Sequence, residues 1–134
     1  MFFEYPLPYH SSSTPLFAAI RQRTRAVFLQ SAAQSAGRYD IISADPTLMI
    51  VADAEKTLLI QEDRTEVLSQ DPIDYLIAQL PPQLPQSPYP FIGGILGYCA
   101  YDWGLALQGI QRRIKPHHPL PLLHLGLYDW ALIS

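Results

Sequence analysis

The stretch Pro90-Phe-Ile-Gly-Gly-Ile-Leu-Gly-Tyr-Cys-Ala-Tyr-Asp102 decides most about the fold, because three glycines interrupt an otherwise apolar run with β character. Glycine weakens a strand, so within one it usually marks a bulge or the close approach of another backbone or a ligand. The glycines and the polar side chains beside them form a candidate interface, termed the glycine segment: Gly93, Gly94, Gly97, Tyr98, Tyr101 and Asp102. A bulged core strand with its tyrosines packed inward remains the structural alternative.

A helix is predicted upstream of this stretch. Asp71 can cap it, Pro72 takes the first helical position, and Pro81-Pro82 ends it. Four apolar residues at helical spacing predict one buried stripe: Ile73, Leu76, Ile77 and Leu80.

Short β-type runs surround the helix. Thr47 to Ala52 and Thr57 to Gln61 are too close in sequence for a parallel crossover, which predicts an antiparallel hairpin. A first helix begins at Thr14-Pro15. Further strands are predicted over Ala26 to Ser31, Arg38 to Ala44, Phe91 to Asp102 and Leu122 to Ser134. Because strands and helices do not alternate regularly, we predict an α+β fold with a mainly antiparallel sheet and two short helices.

The composition narrows the functional classes. Charged residues make up 16% of the 134, below the roughly 25% of an average domain, so we expect part of the surface to be covered by something else. A formal charge of −3 argues against a nucleic-acid partner, and the small basic cluster Arg112, Arg113 and Lys115 fits a solvated loop. The single Cys99 excludes an internal disulfide and fits a reducing cytoplasm.

No membrane segment is predicted. The apolar stretch Phe91 to Leu107 contains four glycines and Asp102, and it is shorter than the roughly 20 apolar residues that a spanning helix needs.

The C-terminal run Gly126-Leu-Tyr-Asp-Trp-Ala-Leu-Ile-Ser134 is apolar and has no closing turn or cap. A free terminus on a self-contained domain is usually solvated and frayed. We therefore expect this strand to find its partners further along a longer chain.

A second candidate site combines Leu29-Gln-Ser31 with Arg38-Tyr-Asp40, near two strand ends that face one loop. The serine hydroxyl could accept from an ammonium group and the arginine could donate to a carboxylate, so a small zwitterion would fit. Alternatively, Arg38 forms a surface ion pair with Asp40 or Asp45.

Conventional catalytic and metal motifs are absent. The glycine segment lacks the spacing and the lysine of a phosphate-binding loop. His117 and His118 are adjacent, and neighbouring residues in an extended segment point to opposite sides, so we predict no metal site in this chain.

Several segments resemble the chorismate-utilising enzymes. Pro90 to Asp102 resembles their proline-aromatic-x-Gly-Gly-x-x-Gly-aromatic-x-x-Tyr-Asp signature. Arg38-Tyr-Asp-Ile-Ile-Ser-Ala-Asp-Pro46 and the helix start Asp71-Pro72 are similar to further segments of that family. Gly126 to Ile133 contains the Tyr-Asp-Trp-Ala run that recurs in the aminodeoxychorismate branch, and this resemblance favours the N-terminal domain of component I of that synthase.

The resemblance implies a parent about three times as long. Residues 1–134 would be one incomplete N-terminal domain, inactive alone. The missing C-terminal catalytic domain would hold Mg²⁺ and aminate chorismate to 4-amino-4-deoxychorismate, toward p-aminobenzoate and folate. Implied partners are that domain and a glutamine amidotransferase. An anthranilate synthase component I domain, or a stand-alone ligand- or protein-binding domain, is the alternative.

In this family the N-terminal domain holds a tryptophan pocket. By position, its walls correspond to Leu29, Gln30, Ser31, Arg38 and Tyr39. Gln30 occupies the position of an acidic residue typical of feedback-inhibited anthranilate synthases, so we expect the chain alone to bind tryptophan weakly.

Overall fold

The computed structural model describes residues 3–31, 39–83, 85–110 and 120–134, which contain eight strands and three helices. The strands are β1 Val27–Leu29, β2 Ile41–Ser43, β3 Leu48–Ala52, β4 Thr57–Gln61, β5 Arg64–Val67, β6 Gly94–Cys99, β7 Leu123–Tyr128 and β8 Leu132–Ile133. The helices are α1 Thr14–Ile20, α2 Pro72–Gln79 and α3 Tyr101–Leu107.

The chain divides into two compact units. Unit 1 comprises Met1–Pro46, Leu80–Gly94 and Tyr128–Ser134, and unit 2 comprises Thr47–Gln79 and Ile95–Leu127.

Unit 1 contains a three-stranded antiparallel sheet in the order β1-β2-β8. Ile42 of the central strand is fully buried and pairs with Phe28 on one side and Leu132 on the other. The Phe28 ring also contacts Phe17 of α1, with 5.2 Å between ring centroids. The helix therefore packs on β1 through an aromatic pair.

Unit 2 contains a five-stranded sheet in the order β5-β4-β3-β7-β6. The pairings β3–β4, β3–β7 and β4–β5 are antiparallel. The core of this unit consists of buried aliphatic residues from three strands of the sheet, β3, β4 and β7, and from α2: Leu48, Ile50, Ala52, Leu59, Leu76, Leu123 and Leu125.

Helix α2 begins where the sequence predicts. The Asp71 carboxylate accepts hydrogen bonds from the amides of Ile73 at 2.8 Å and Asp74 at 3.0 Å, which makes it the N-cap. Leu76 is fully buried, but Ile77 is 56% exposed, so the predicted stripe is wrong at that position. Tyr75 packs against the core in addition to Ile73 and Leu76.

The α+β class, the antiparallel pairing and the predicted β3–β4 hairpin are confirmed, but two details of the prediction are wrong and the strand β5 is absent from it. The described residues contain three helices, because the chain turns into α3 at Tyr101. The hairpin continues into β5, whose four residues are all exposed. The predicted final strand is two strands, and β8 pairs with β2 of the same chain.

Candidate ligand-binding site

The candidate ligand-binding residues lie where the β1–β2 pair opens. The last paired position is Leu29 opposite Ile41, and beyond it Ser31 and Tyr39 approach each other. The Ser31 hydroxyl donates to the Tyr39 carbonyl at 2.7 Å, and the Ser31 amide donates to the Asp40 carboxylate at 2.7 Å. These two bonds close the base of the connection between the strands.

Asp40 is itself held by the sheet. Its amide donates to the Ser134 carbonyl at 2.8 Å, and its carbonyl accepts from the Ser134 amide at 3.1 Å. Asp40, Ser31 and Tyr39 are all half-buried. The sheet therefore holds the backbone of Asp40 in place, and its carboxylate is partly shielded from water. Hydrogen bonds to a charged acceptor are strong in such a position.

The other predicted pocket residues have different outcomes. Leu29 and Gln30 are exposed. Arg38 lies outside the described residues, as do the basic cluster at 112–115 and the histidine pair at 117–118. Asp45 forms an ion pair with Arg23, and the predicted pairing of Arg38 with Asp40 or Asp45 lies outside the described residues.

The glycine segment contains a close backbone approach at Gly97. This residue has φ +148°, and a Cβ there would lie 2.0 Å from the His124 carbonyl oxygen and 2.9 Å from the Leu125 Cα. Within unit 1, Gly93 has φ +138° and lies near the Tyr128 carbonyl, where a Cβ would be 3.1 Å away. The neighbour that approaches these glycines is thus the chain's own backbone.

The polar residues of the glycine segment do not form one group. The Tyr98 ring stacks on His124, with centroids 5.7 Å apart and planes at 7°. Tyr101 is 86% exposed, and Asp102 lies in the first turn of α3 and is half-buried. The predicted strand over Phe91 to Asp102 is wrong from Tyr101 onward, since Tyr101 begins α3.

Sequence reasoning missed a polar cluster in unit 1. The Arg23 guanidinium forms an ion pair with Asp45 and lies 5.8 Å from the centre of the Trp130 ring. Asp45 has φ +52°, accepts from the Thr24 amide at 3.0 Å and donates its own amide to the Thr24 carbonyl at 2.7 Å. No spacing in the sequence signals this cluster, because its members come from three distant turns.

The side chains of Tyr128 and Ser43 form further hydrogen bonds to the backbone near this cluster. The Tyr128 hydroxyl donates to the Arg25 carbonyl at 2.9 Å, and the fully buried Ser43 donates to the Trp130 carbonyl at 2.7 Å. Burial raises the pKa of Tyr128, while Arg25 opposes that shift. The neutral phenol is therefore the form that the folded chain stabilises.

Among the described residues, no group of three or more His, Cys, Asp or Glu side chains could hold a metal ion. Within the same ranges, no helix is long and apolar enough to cross a membrane.

Comparison with curated proteins finds aminodeoxychorismate synthase component 1 of Salmonella typhimurium at 35% identity and that of Klebsiella aerogenes at 32%, each over 87% of this chain. The anthranilate synthase alpha subunit 1 of Arabidopsis thaliana is 33% identical over 74% of the chain. The structure matches anthranilate synthase component I from Streptococcus pneumoniae over 98% of this chain, with a TM-score of 0.61 and 20% identity. The chain belongs to the anthranilate synthase component I superfamily. No protein-family model matches it.

Within this superfamily the chain corresponds to a part of its relatives. It spans 27% of the length of the two bacterial aminodeoxychorismate synthase components and 29% of the Streptococcus pneumoniae chain. The structural match shares the α+β fold with the antiparallel sheets described above.

Proposed function

We propose that this chain is the N-terminal domain of an aminodeoxychorismate synthase component I and is not catalytic by itself. The observation that carries the proposal is the pair of bacterial aminodeoxychorismate synthase relatives, matched at 32% and 35% identity over 87% of the chain. The Tyr128-Asp-Trp-Ala131 run typical of that branch adds support. In this run the Tyr128 hydroxyl donates to the Arg25 carbonyl, and the Trp130 carbonyl accepts from Ser43. Both bonds lie within unit 1, so we assign the run a structural role.

In this proposal the parent replaces the 4-hydroxyl of chorismate with an amino group, on the way to p-aminobenzoate and folate. A glutamine amidotransferase subunit supplies the ammonia, and the location is the cytoplasm. Mg²⁺ would belong to the C-terminal catalytic domain, as the resemblance to the chorismate-utilising enzymes implies. No step of the reaction is assigned to residues of this chain.

The domain's own contribution is an amino-acid pocket around Ser31, with tryptophan as the ligand. Its support is the meeting of Ser31 and Tyr39 at the open end of β1 and β2, beside exposed Leu29 and Gln30. Hydroxyl and carbonyl oxygens suit the ammonium of the ligand, and an apolar side chain beside them suits its ring.

Product analysis tests the enzyme assignment. The full-length parent is incubated with chorismate, Mg²⁺ and ammonium, and the product is identified by mass spectrometry. We expect 4-amino-4-deoxychorismate. Anthranilate with pyruvate would instead assign the parent to the anthranilate branch, which the 33% identical Arabidopsis thaliana subunit represents.

The same assay tests the inactivity of the domain. The 134-residue chain alone should give no product above the enzyme-free rate. Turnover by the isolated chain would overturn that part of the proposal. The alternative of a stand-alone binding domain makes a different prediction. In that case the isolated chain would be a monomer of a single size, would not bind a hydrophobe-sensitive dye and would bind tryptophan tightly.

A further inference from the structure

We propose that Asp40 is a positioning residue, which orients Ser31 so that its hydroxyl oxygen accepts a hydrogen bond from the ammonium group of a ligand. This inference rests on the proposed amino-acid pocket. It adds to that pocket a residue that acts through the serine.

Asp40 anchors the backbone of Ser31. Its amide donates to the Asp40 carboxylate at 2.7 Å, and a charged acceptor gives a stronger and more directional bond than a neutral one. Asp40 cannot shift easily, because two backbone hydrogen bonds join it to Ser134. The sheet therefore fixes the carboxylate, and the carboxylate fixes the serine backbone.

The Ser31 hydroxyl is already engaged as a hydrogen-bond donor. A hydroxyl has one proton and two lone pairs, and here the proton is donated to the Tyr39 carbonyl at 2.7 Å. With its proton used in this way, the oxygen can only accept from a ligand. The ligand group at this position must therefore be a donor.

The donor group of the ligand should also carry a positive charge. A carboxylate next to the serine favours a cation and disfavours an anion, and its influence is larger at a half-buried position than in water. A primary ammonium combines a positive charge with several N–H donors. The site thus selects primary amines over carboxylic acids at Ser31.

A purely structural role for Asp40 gives a different expectation. If the carboxylate only closed the base of the β1–β2 connection, removing it would weaken all ligands equally or simply destabilise unit 1. A positioning role predicts a loss that depends on the ammonium group of the ligand.

The experiment is an NMR titration of the 134-residue chain, which detects weak binding through the Ser31 amide signal. The probes are L-tryptophan, tryptamine, which lacks the carboxylate, and indole-3-propionate, which lacks the ammonium. The variants are Asp40→Ala, Asp40→Asn and, as a matched control, Asp53→Ala. Asp53 likewise accepts backbone amide hydrogen bonds, from Glu55 and Lys56, but it lies in unit 2.

We expect Asp40→Ala to lower the affinity for tryptophan and tryptamine about tenfold or more, and the affinity for indole-3-propionate less than about twofold. Asp40→Asn should recover part of the loss, because its carboxamide oxygen can still accept from the Ser31 amide. Asp53→Ala should bind all three probes as the unsubstituted chain does.

Hydrogen exchange without any ligand checks the anchoring step separately. In Asp40→Ala the Ser31 amide should exchange about tenfold faster or more, while the Ile42 amide in the same sheet keeps its protection. An unchanged Ser31 exchange rate would overturn the inference.

The titration separates the two proposals. Equal weakening of all three probes, or tryptophan binding that Asp40→Ala leaves unchanged, would overturn the role of Asp40 and leave the pocket standing. If the unsubstituted chain binds none of the probes, the pocket and this inference both fall.

Discussion

At Gly97 the backbone of β7 leaves no room for a side chain. Replacing this residue with alanine would place a Cβ 2.0 Å from the His124 carbonyl oxygen, at a φ of +148° that alanine disfavours. Backbone strain and overpacking each contribute roughly 1–3 kcal/mol, so we expect Gly97→Ala to lower the free energy of unfolding by about 3 kcal/mol or more. Urea denaturation followed by circular dichroism measures this change.

Gly104 provides the matched control. It lies within α3, and a Cβ there would meet no atom within 4 Å. Gly104→Ala should be neutral or stabilise the fold by up to about 1 kcal/mol, because alanine favours helix. Similar urea midpoints for Gly97→Ala and Gly104→Ala would show that the backbones of β6 and β7 do not approach each other this closely at Gly97.

The Tyr128 hydroxyl should make the free energy of unfolding depend on pH in the alkaline range. Tyr128→Phe removes the hydrogen bond to the Arg25 carbonyl, and we expect it to cost about 1 kcal/mol near neutral pH. Burial raises the pKa of Tyr128 above its usual value of about 10, so the unfolded chain loses this proton first as the pH rises. The stabilising contribution is therefore complete below pH 10 and declines as the pH rises toward the folded pKa.

Unfolding free energies measured between pH 7 and 11 test this expectation. The advantage of tyrosine over phenylalanine at position 128 should shrink above about pH 10. Tyr101→Phe, which changes an exposed hydroxyl, should stay within about 0.5 kcal/mol of the unsubstituted chain at neutral pH. A difference at position 128 that grows with pH would contradict the burial of that phenol.

At the level of elements, the start of α2 depends on one carboxylate. Asp71 satisfies two amides of the first turn, those of Ile73 and Asp74. Asp71→Ala should lower the free energy of unfolding by about 1 kcal/mol, whereas Asp71→Asn, which keeps an acceptor, should lower it much less. Thermal unfolding of both variants gives the comparison, and equal losses would mean that the cap is not the source of stability.

The sequence predicted the elements that carry a local signal. The cap and proline at Asp71-Pro72 gave α2, and two apolar runs with a short connection gave the β3–β4 hairpin. It missed β5 because its four exposed residues have no buried face to create an alternating pattern. It missed α3 because Gly104 within that helix has a poor helix propensity.

In the candidate site, too, the sequence predicted only the features that carry a local signal. The sequence placed Ser31 and Tyr39 near each other, because Ser31 ends one predicted strand and Tyr39 lies near the start of the next. It did not indicate which atoms would meet: the bond from Ser31 to Asp40 depends on the strand register and on Ser134, over a hundred residues further along the chain. The Arg23–Asp45–Trp130 cluster likewise depends on tertiary packing alone.

At the level of the whole molecule, large apolar side chains remain on the surface of each unit. Those in unit 1 include Phe3, Tyr5, Leu7 and Tyr9, and those in unit 2 include Tyr101, Leu107 and Leu120. Exposed apolar surface of this kind is typical of a protein interface or an association-prone surface. The relatives continue well beyond this chain, which covers 27% of their length, so further domains of a parent are the proposed cover.

We therefore expect the isolated chain to self-associate and to bind a hydrophobe-sensitive dye. Multi-angle light scattering should give a mass above 15.1 kDa at tens of micromolar, with dye fluorescence above that of a compact control protein. The double variant Tyr101→Lys, Leu107→Lys should lower both signals, because it replaces two exposed apolar groups of α3 by cations. The variant Gln61→Lys, Gln79→Lys makes the same charge change at exposed polar positions and should have a smaller effect. A dye-negative monomer of 15.1 kDa would show that these side chains need no covering domain.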